Sequence, residues 1–255
     1  MSTLHRINLQ PAYVLHHTPY RNTSVLLEVF TREHGRTGLV ARGARSARSR
    51  TSGMLQPFSP LLLSWSGKGD LGTLTATEAN GPALTLKGRV LLSAFYLNEL
   101  LLRLCQRHDP HALLFDQYDK ILHQLNELSQ MTIPDTLEQD SDVSEEKLLR
   151  IFEKYLLQEL GYGLVLDHDV ITEEPIHANE RYRYQPDIGP VCMEKAGTSG
   201  VSLSGRSLLS LAADELFDHD CLREIKHLMR AALAPHLGNR PLHSRRLFSE
   251  MNSPQ

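Results

Sequence analysis

The residues best suited to chemistry lie together near the front of the chain. Arg42-Gly-Ala-Arg-Ser-Ala-Arg-Ser-Arg50 holds four arginines, no acidic residue, and only Gly, Ala and Ser between them. Guanidinium groups set among small residues can reach successive phosphates unobstructed, each as a planar fork that matches two phosphate oxygens. Every phosphate neutralised this way releases counterions, so such binding is steeply salt-dependent. A stretch of this composition cannot build a core. The competing reading is a solvated surface loop, with Arg42 ending the strand before it. Arg32, Arg36 and Lys68 flank the run and complete the basic set.

The charge is segregated. Net charge over 255 residues is −3, yet residues 1–80 carry nine Lys/Arg against four Asp/Glu. Residues 81–160 carry eight against 13, and residues 161–255 carry ten against 13. A basic module on an acidic body can present one positive face to a polyanion, while the whole molecule is not drawn indiscriminately to nucleic acid. Base stacking would need exposed aromatics beside that face, and Tyr20, Phe30, Phe58 and Trp65 are the candidates. Trp65 shares strand parity with Leu61 and Leu63, which points it to the core or its rim. Phe30 lies on the opposite parity from Val25, Leu27 and Val29, so its direction stays open.

Other chemistries find little footing. Asp167-His-Asp169 and Asp218-His-Asp-Cys221 contain metal-ligand types without zinc spacing, and the plainer reading is a solvated loop for the first and a helix cap for the second. There is no G-x-x-x-x-G-K-[ST], H-E-x-x-H, G-x-S-x-G or dinucleotide fingerprint. A carboxylate nuclease remains an alternative, because its ligands need not be adjacent in sequence. Cys105, Cys192 and Cys221 are too few and too scattered for a disulfide framework, which suits a reducing compartment. With neither an apolar leader nor an apolar run of membrane-spanning length, a cytoplasmic protein without a membrane partner is expected.

The elements that must position these residues come in two kinds. Between residues 12 and 80, short alternating runs (13–17, 24–31, 38–41, 61–65 and 72–78) separated by turn residues predict five strands of a small antiparallel barrel. Gly35 in Arg32-Glu-His-Gly-Arg36 suits a tight hairpin between the second and third strands, and Ser66-Gly-Lys-Gly-Asp70 suits another between the last two. After Asn80-Gly-Pro82 the period becomes helical, with helices expected over 90–104, 111–128, from Ser144 to Gly161, 206–214 and 221–234, and a stop near Pro235. Residues 131–143 read as an exposed linker, and 162–203 as a hairpin-like or irregular insertion. The resulting class is α+β: a barrel domain over 1–80, then a mainly helical domain over 81–255.

Several pieces in order resemble the RecO family of bacterial recombination mediators: Val29-Phe-Thr31, Gly35-Arg36, Leu39-Val-Ala-Arg-Gly-Ala-Arg-Ser46, Leu55-Gln-Pro-Phe58, Pro60-Leu-Leu-Leu63 and Tyr96-Leu-Asn-Glu-Leu-Leu101. Leu160-Gly-Tyr-Gly163, Tyr182-Arg-Tyr184, Leu237-Gly238, Pro241-Leu242, Ser244-Arg245 and Leu247-Phe248 continue it to the tail. The resemblance implies an N-terminal OB-fold and a non-catalytic role in DNA repair and recombination. It further implies binding of single- and double-stranded DNA, annealing of complementary strands, and help to RecR in loading RecA. It also implies that the helical domain docks the acidic tail of the single-strand DNA-binding protein SSB, with Arg150 in Leu148-Leu-Arg-Ile-Phe152 at the tail-contacting position. Lys154, one turn on, could add charge there or serve as a solvated partner for Glu146 or Glu153. Some members carry a four-cysteine zinc module after the Gly-Tyr-Gly segment. Only Cys192 lies in the corresponding stretch here, so no metal or other cofactor is expected. An interaction scaffold that never touches DNA is the remaining alternative.

Overall fold

The computed structural model describes residues 5–46, 49, 51, 53–67, 69–131, 138–186, 188–215, 218–238 and 240–251. They form two compact units, one within residues 5–130 with 242–251 and the other within residues 131–241.

In the first unit, β1 (His5–Tyr20), β2 (Ser24–Thr31), β3 (Gly35–Ala41), β4 (Leu61–Gly67) and β5 (Leu71–Ala79) close into a barrel in the order β1-β2-β3-β5-β4. All neighbours are antiparallel except β3 and β5. This is the OB-type barrel, with one parallel pair in place of an all-antiparallel ring. β2 has the bounds the alternation predicts, and the other four strands are longer, β1 most of all. It pairs with β4 through its first half and with β2 through its second, and irregularities at Ile7/Gln10 and Val14/His16 let it bend between them.

Residues of one parity fill the barrel: Ala12, Val14, Leu27, Val29, Leu39, Leu61, Leu63 and Trp65. Trp65 is therefore a core residue. Tyr13, Leu15 and Phe30 have the other parity and are equally buried, because helices α1 (Gly88–Leu104) and α2 (Ala112–Gln130) cover that side. Phe30 packs on Phe115 and Tyr118 at centroid distances of 5.6 and 6.1 Å, which settles its direction as outward from the barrel into a helix contact. A polar chain crosses the same contact. Asn98 donates to the Leu15 carbonyl at 2.9 Å, the Tyr118 hydroxyl donates to Asn98 at 2.5 Å, and the Tyr13 hydroxyl donates to Asp119 at 2.5 Å. Helix α6 (His243–Met251), which no expectation covered, docks on α1. Glu99 accepts the free N–H groups of His243 and Ser244 and the Ser244 hydroxyl, the work of a helix cap done by a residue 144 positions away. The boundary read at residue 80 marks the switch from strands to helices; in space α1, α2 and α6 accompany the barrel.

The second unit holds α3 (Glu138–Glu159), a three-stranded sheet of β6 (Arg181–Gln185), β7 (Gly189–Cys192) and β8 (Val201–Ser204) in the order β7-β6-β8, then α4 (Gly205–Ala213) and α5 (His219–Leu237). Helix α3 begins at Glu138, so Ser144 lies inside it and the expected linker is shortened from its far side; residues 132–137 lie outside the described residues. The stop is as predicted: Gly161 has φ +84°, and the N–H groups of Gly161 and Tyr162 close on the carbonyls of Gln158 and Leu157. The insertion is a small sheet with β6 central. Asp218 caps α5 through the Cys221 N–H at 2.8 Å, and Pro235 sits within the last turn of that helix instead of beyond it.

Asp169 departs from the expected solvated loop. It is 3% exposed, and its carboxylate accepts the N–H groups of Ile171, Thr172 and Cys192 at 2.8, 3.0 and 2.6 Å. A short carboxylate surrounded by backbone donors organises a turn that has few apolar contacts of its own.

Candidate nucleic-acid and peptide-tail sites

Strand register divides the predicted basic residues between two ends of β2 and β3. Arg32 and Arg36 flank the hairpin where Thr31 faces Gly35, whereas Arg42 and Arg45 follow Ala41, which faces Val25 at the far end. Seven residues at about 3.3 Å each separate the two ends by roughly 20 Å. They do not form one cluster.

At the hairpin end the guanidinium groups are engaged internally. Arg32 donates Nε and Nη2 to Asp116 at 2.8 and 2.9 Å, which raises its own affinity for a proton and holds the Asp116 carboxyl below its ordinary value. Arg36 donates to the Leu102 carbonyl, and nearby Arg107 pairs with Glu28. The hairpin itself sits against the chain after α1, where the His108 N–H donates to the Arg36 carbonyl at 2.9 Å. Gly35 is required there by two constraints at once. Its φ is +60°, and an added Cβ would lie 1.9 Å from the Asp109 carbonyl oxygen. Cys105, beside this contact, has its thiol pushed up to about 12, chiefly by burial.

At the other end the arginine run leaves β3 through a turn. Arg45 N–H donates to the Thr23 carbonyl at 2.8 Å, and Ser46 N–H to Gly43 at 3.0 Å. Ala44 between them is 1% exposed and belongs to the barrel core, so the run does contribute to a core after all. Ala is small enough to enter the barrel mouth, and that anchoring turns Arg42 and Arg45 outward; both are exposed, and neither side chain has an acidic partner among the described residues. Arg48, Arg50 and Lys68 lie outside the described residues. The bond to Thr23 brings in the β1–β2 turn, whose Arg21 sequence reasoning passed over; its guanidinium carbon lies 5.2 Å from the centroid of the Tyr20 ring. A signal was available in the sequence. The chain has no Asp or Glu before Glu28 and none between Glu33 and Asp70, so both turns at this end come from acid-free stretches.

In the second unit, Arg150 and Lys154 occupy successive turns of α3, and both are largely buried. Arg150 pairs with Glu153 at 2.9 Å, and its Nε has no hydrogen-bond acceptor among the described residues. Lys154 is neither solvated nor paired with Glu146 or Glu153. Its ammonium donates to the carbonyls of Leu211 and Ala212 at 3.0 and 3.3 Å and meets Asp214 at 2.5 Å, a cation at the negative end of α4. Tyr155 joins from the same helix, donating to Asp214 at 3.0 Å; burial first, and the carboxylate second, push its hydroxyl pKa up. Glu146 is held instead by Lys226 at 2.6 Å. Among the described residues, no group of three or more His, Cys, Asp or Glu could hold a metal ion, and no helix is long and apolar enough to cross a membrane.

Comparison with known proteins agrees along most of the chain. The family model described as recombination protein O N terminal matches residues 5–82, and that described as recombination protein O C terminal matches residues 87–246. The chain is 48% identical over 246 residues to the DNA repair protein RecO of Nitrosococcus oceani, covering 96% of this chain and 94% of that protein. It is 45% identical over 243 residues to the DNA repair protein RecO of Coxiella burnetii, covering 95% and 98%. To the DNA repair protein RecO of Thiobacillus denitrificans it is 43% identical over 251 residues, covering 98% and 95%.

Proposed function

This chain belongs to the RecO family of DNA repair proteins, and from that premise we propose that it is a non-catalytic, cytoplasmic mediator of homologous recombination. It binds single- and double-stranded DNA through the barrel, anneals complementary strands, docks the SSB tail on the second unit, and assists RecR in loading RecA. No bond is made or broken, and no cofactor takes part.

The observation that carries the DNA reading is the pair of acid-free turns after β1 and β3, where Arg42 and Arg45 stand exposed without acidic partners among the described residues while Arg32 is tied to Asp116. Unpartnered arginines cost no internal pair when they meet phosphate. Placed between two strands, they screen phosphate repulsion and lower the electrostatic barrier to annealing. Contacts of this kind set orientation more than sequence choice, so targeting falls to protein partners. For the tail, Arg150 is the proposed contact, and the tail's carboxylate would share its largely buried guanidinium with Glu153. Lys154 contributes charge only, since its three N–H groups are already occupied.

A gel-retardation and strand-annealing assay on labelled DNA, with and without magnesium, tests the reading. Retention and annealing of intact strands, independent of magnesium, is the expected result. Shortened products that need the cation would establish a nuclease instead, and no retention even at low salt would leave only a protein scaffold.

A further inference from the structure

We propose that Tyr20 and Arg21, at the tip of the β1–β2 hairpin, form a base-stacking clamp that makes the arginine-bearing end of the barrel prefer single-stranded over duplex DNA. The inference rests on the DNA-binding reading above and specifies the substrate of that same surface.

Four aromatics were placed by sequence near the basic surface, and the structure removes three. Trp65 is 5% exposed inside the barrel, Phe30 is fully buried against α2, and Phe58 is 4% exposed with its ring against Phe95 at 4.9 Å. Tyr20 alone keeps partly open surface. It closes β1 opposite Ser24, so its ring stands at the tip of a two-stranded ribbon, and Arg21 takes a left-handed φ of 52° to make the turn. That turn lays the guanidinium over the Tyr20 ring, 5.2 Å from its centroid. Two flat surfaces of complementary electronic character are thereby held close together.

The hairpin tip is tied to the phosphate-binding turn by the hydrogen bond from Arg45 N–H to the Thr23 carbonyl. Flat groups and exposed guanidinium groups thus occupy adjoining turns. A strand whose phosphates lie along Arg42 and Arg45 brings its bases within reach of Tyr20 and Arg21. In an OB-type barrel the β1–β2 loop is a common edge of the nucleic-acid groove. An unpaired base has a free π face and gains by stacking on tyrosine or guanidinium. A duplex base is already stacked between its neighbours and must be pulled out first, so the clamp adds little to duplex binding. The arginines act on both forms of DNA, and the clamp acts on one.

The test compares Tyr20→Ala, Tyr20→Phe, Arg21→Ala and the Arg42→Ala/Arg45→Ala double variant of the full chain. Affinities for oligothymidine and for a duplex of equal length are measured across a salt series, with circular dichroism to establish folding. Tyr20→Ala is expected to weaken oligothymidine binding by roughly fivefold to 150-fold, the span of one lost base stack. Duplex affinity and the salt slope should stay unchanged, and Tyr20→Phe should retain binding. A 5-iodouracil oligonucleotide should photocrosslink to the peptide containing Tyr20. Equal losses on both DNA forms with Tyr20→Ala, or no loss, would overturn the clamp while a weakened Arg42→Ala/Arg45→Ala variant keeps the DNA-binding reading intact. If the double arginine variant also binds both DNAs normally, the DNA surface itself is misplaced and both readings fall.

Discussion

Removing Arg42 and Arg45 together should flatten the salt dependence of DNA binding by a calculable amount, and removing Arg32 should not. On single strands each phosphate contact contributes about 0.7 to the slope of log affinity against log salt. Two exposed arginines, without acidic partners among the described residues, therefore account for a slope change of about 1.4. Between about 50 and about 200 mM salt, the native protein's advantage over Arg42→Ala/Arg45→Ala should shrink about sevenfold. Arg32 carries the same formal charge, but it is engaged by both oxygens of Asp116 at 2.8 and 2.9 Å, so it already has its counterion. Phosphate would have to displace a carboxylate there, and Arg32→Ala would leave the slope where it was. Fluorescence anisotropy of a labelled oligonucleotide over the salt series measures both variants. The reasoning is refuted if Arg32→Ala flattens the slope as much as the double variant does, because the working surface would then lie at the other end of β2 and β3.

Other consequences follow from the same contacts. Arg150→Ala should weaken calorimetric binding of an acidic peptide with an apolar C-terminus by roughly tenfold or more, whereas Lys154→Ala, which detaches a cation from the end of α4, should lower the melting temperature more than it lowers peptide affinity. An unaltered titration with Arg150→Ala would remove that residue from the tail site. Gly35→Ala combines a φ of +60° with a Cβ 1.9 Å from the Asp109 carbonyl oxygen, so urea unfolding should show a loss of more than about 2 kcal/mol. Glu224 accepts from the Ser204 amide and hydroxyl at 2.8 Å each and from the Ser207 hydroxyl at 2.7 Å, with Arg181 at 3.1 Å. Burial opposes its ionisation, but these donors outweigh it and hold its pKa below the ordinary value. Stability from this lowered pKa is present above the ordinary glutamate range and lost as pH falls through the lowered value. Glu224→Gln should therefore cost about 1–3 kcal/mol near neutral pH, with the gap to the native protein closing in acid.

Much of the fold was legible because alternation and helical period report which face is buried. The strands of the barrel, the Gly35 hairpin and the Gly161 stop all follow from local physics. Illegible were features decided by distant partners. Helix α6 is capped by Glu99, and no pattern within residues 243–251 carries that information. Asp169 looked like a loop residue because its three donors come from backbone groups, one of them at Cys192. Residues 138–143 lack an apolar period, and local propensity gave no helix there. The surroundings of the basic residues were hidden for the same reason. Sequence counts arginines, but only the fold assigns Asp116 to Arg32, the Leu102 carbonyl to Arg36 and Glu153 to Arg150.

That distinction sharpens how a basic sequence is read for function. A guanidinium bound to an internal carboxylate contributes little to the outward field, since the pair is neutral and each member is already solvated by the other. One with no acid near it keeps its full attraction for phosphate. Judged this way, the positive surface of the barrel contracts from the whole first module to the acid-free turns after β1 and β3. Burial of Ala44 has a part in this, because it fixes the turn between Arg42 and Arg45 and leaves both side chains outside. A bulky replacement there tests whether that anchoring matters. Ala44→Leu would have to enter a filled barrel mouth, at a cost of about 1–3 kcal/mol. With the turn displaced, DNA affinity should fall even though every arginine remains. Full DNA affinity in a destabilised Ala44→Leu protein would show that charge alone suffices and that the anchored geometry of the turn is dispensable.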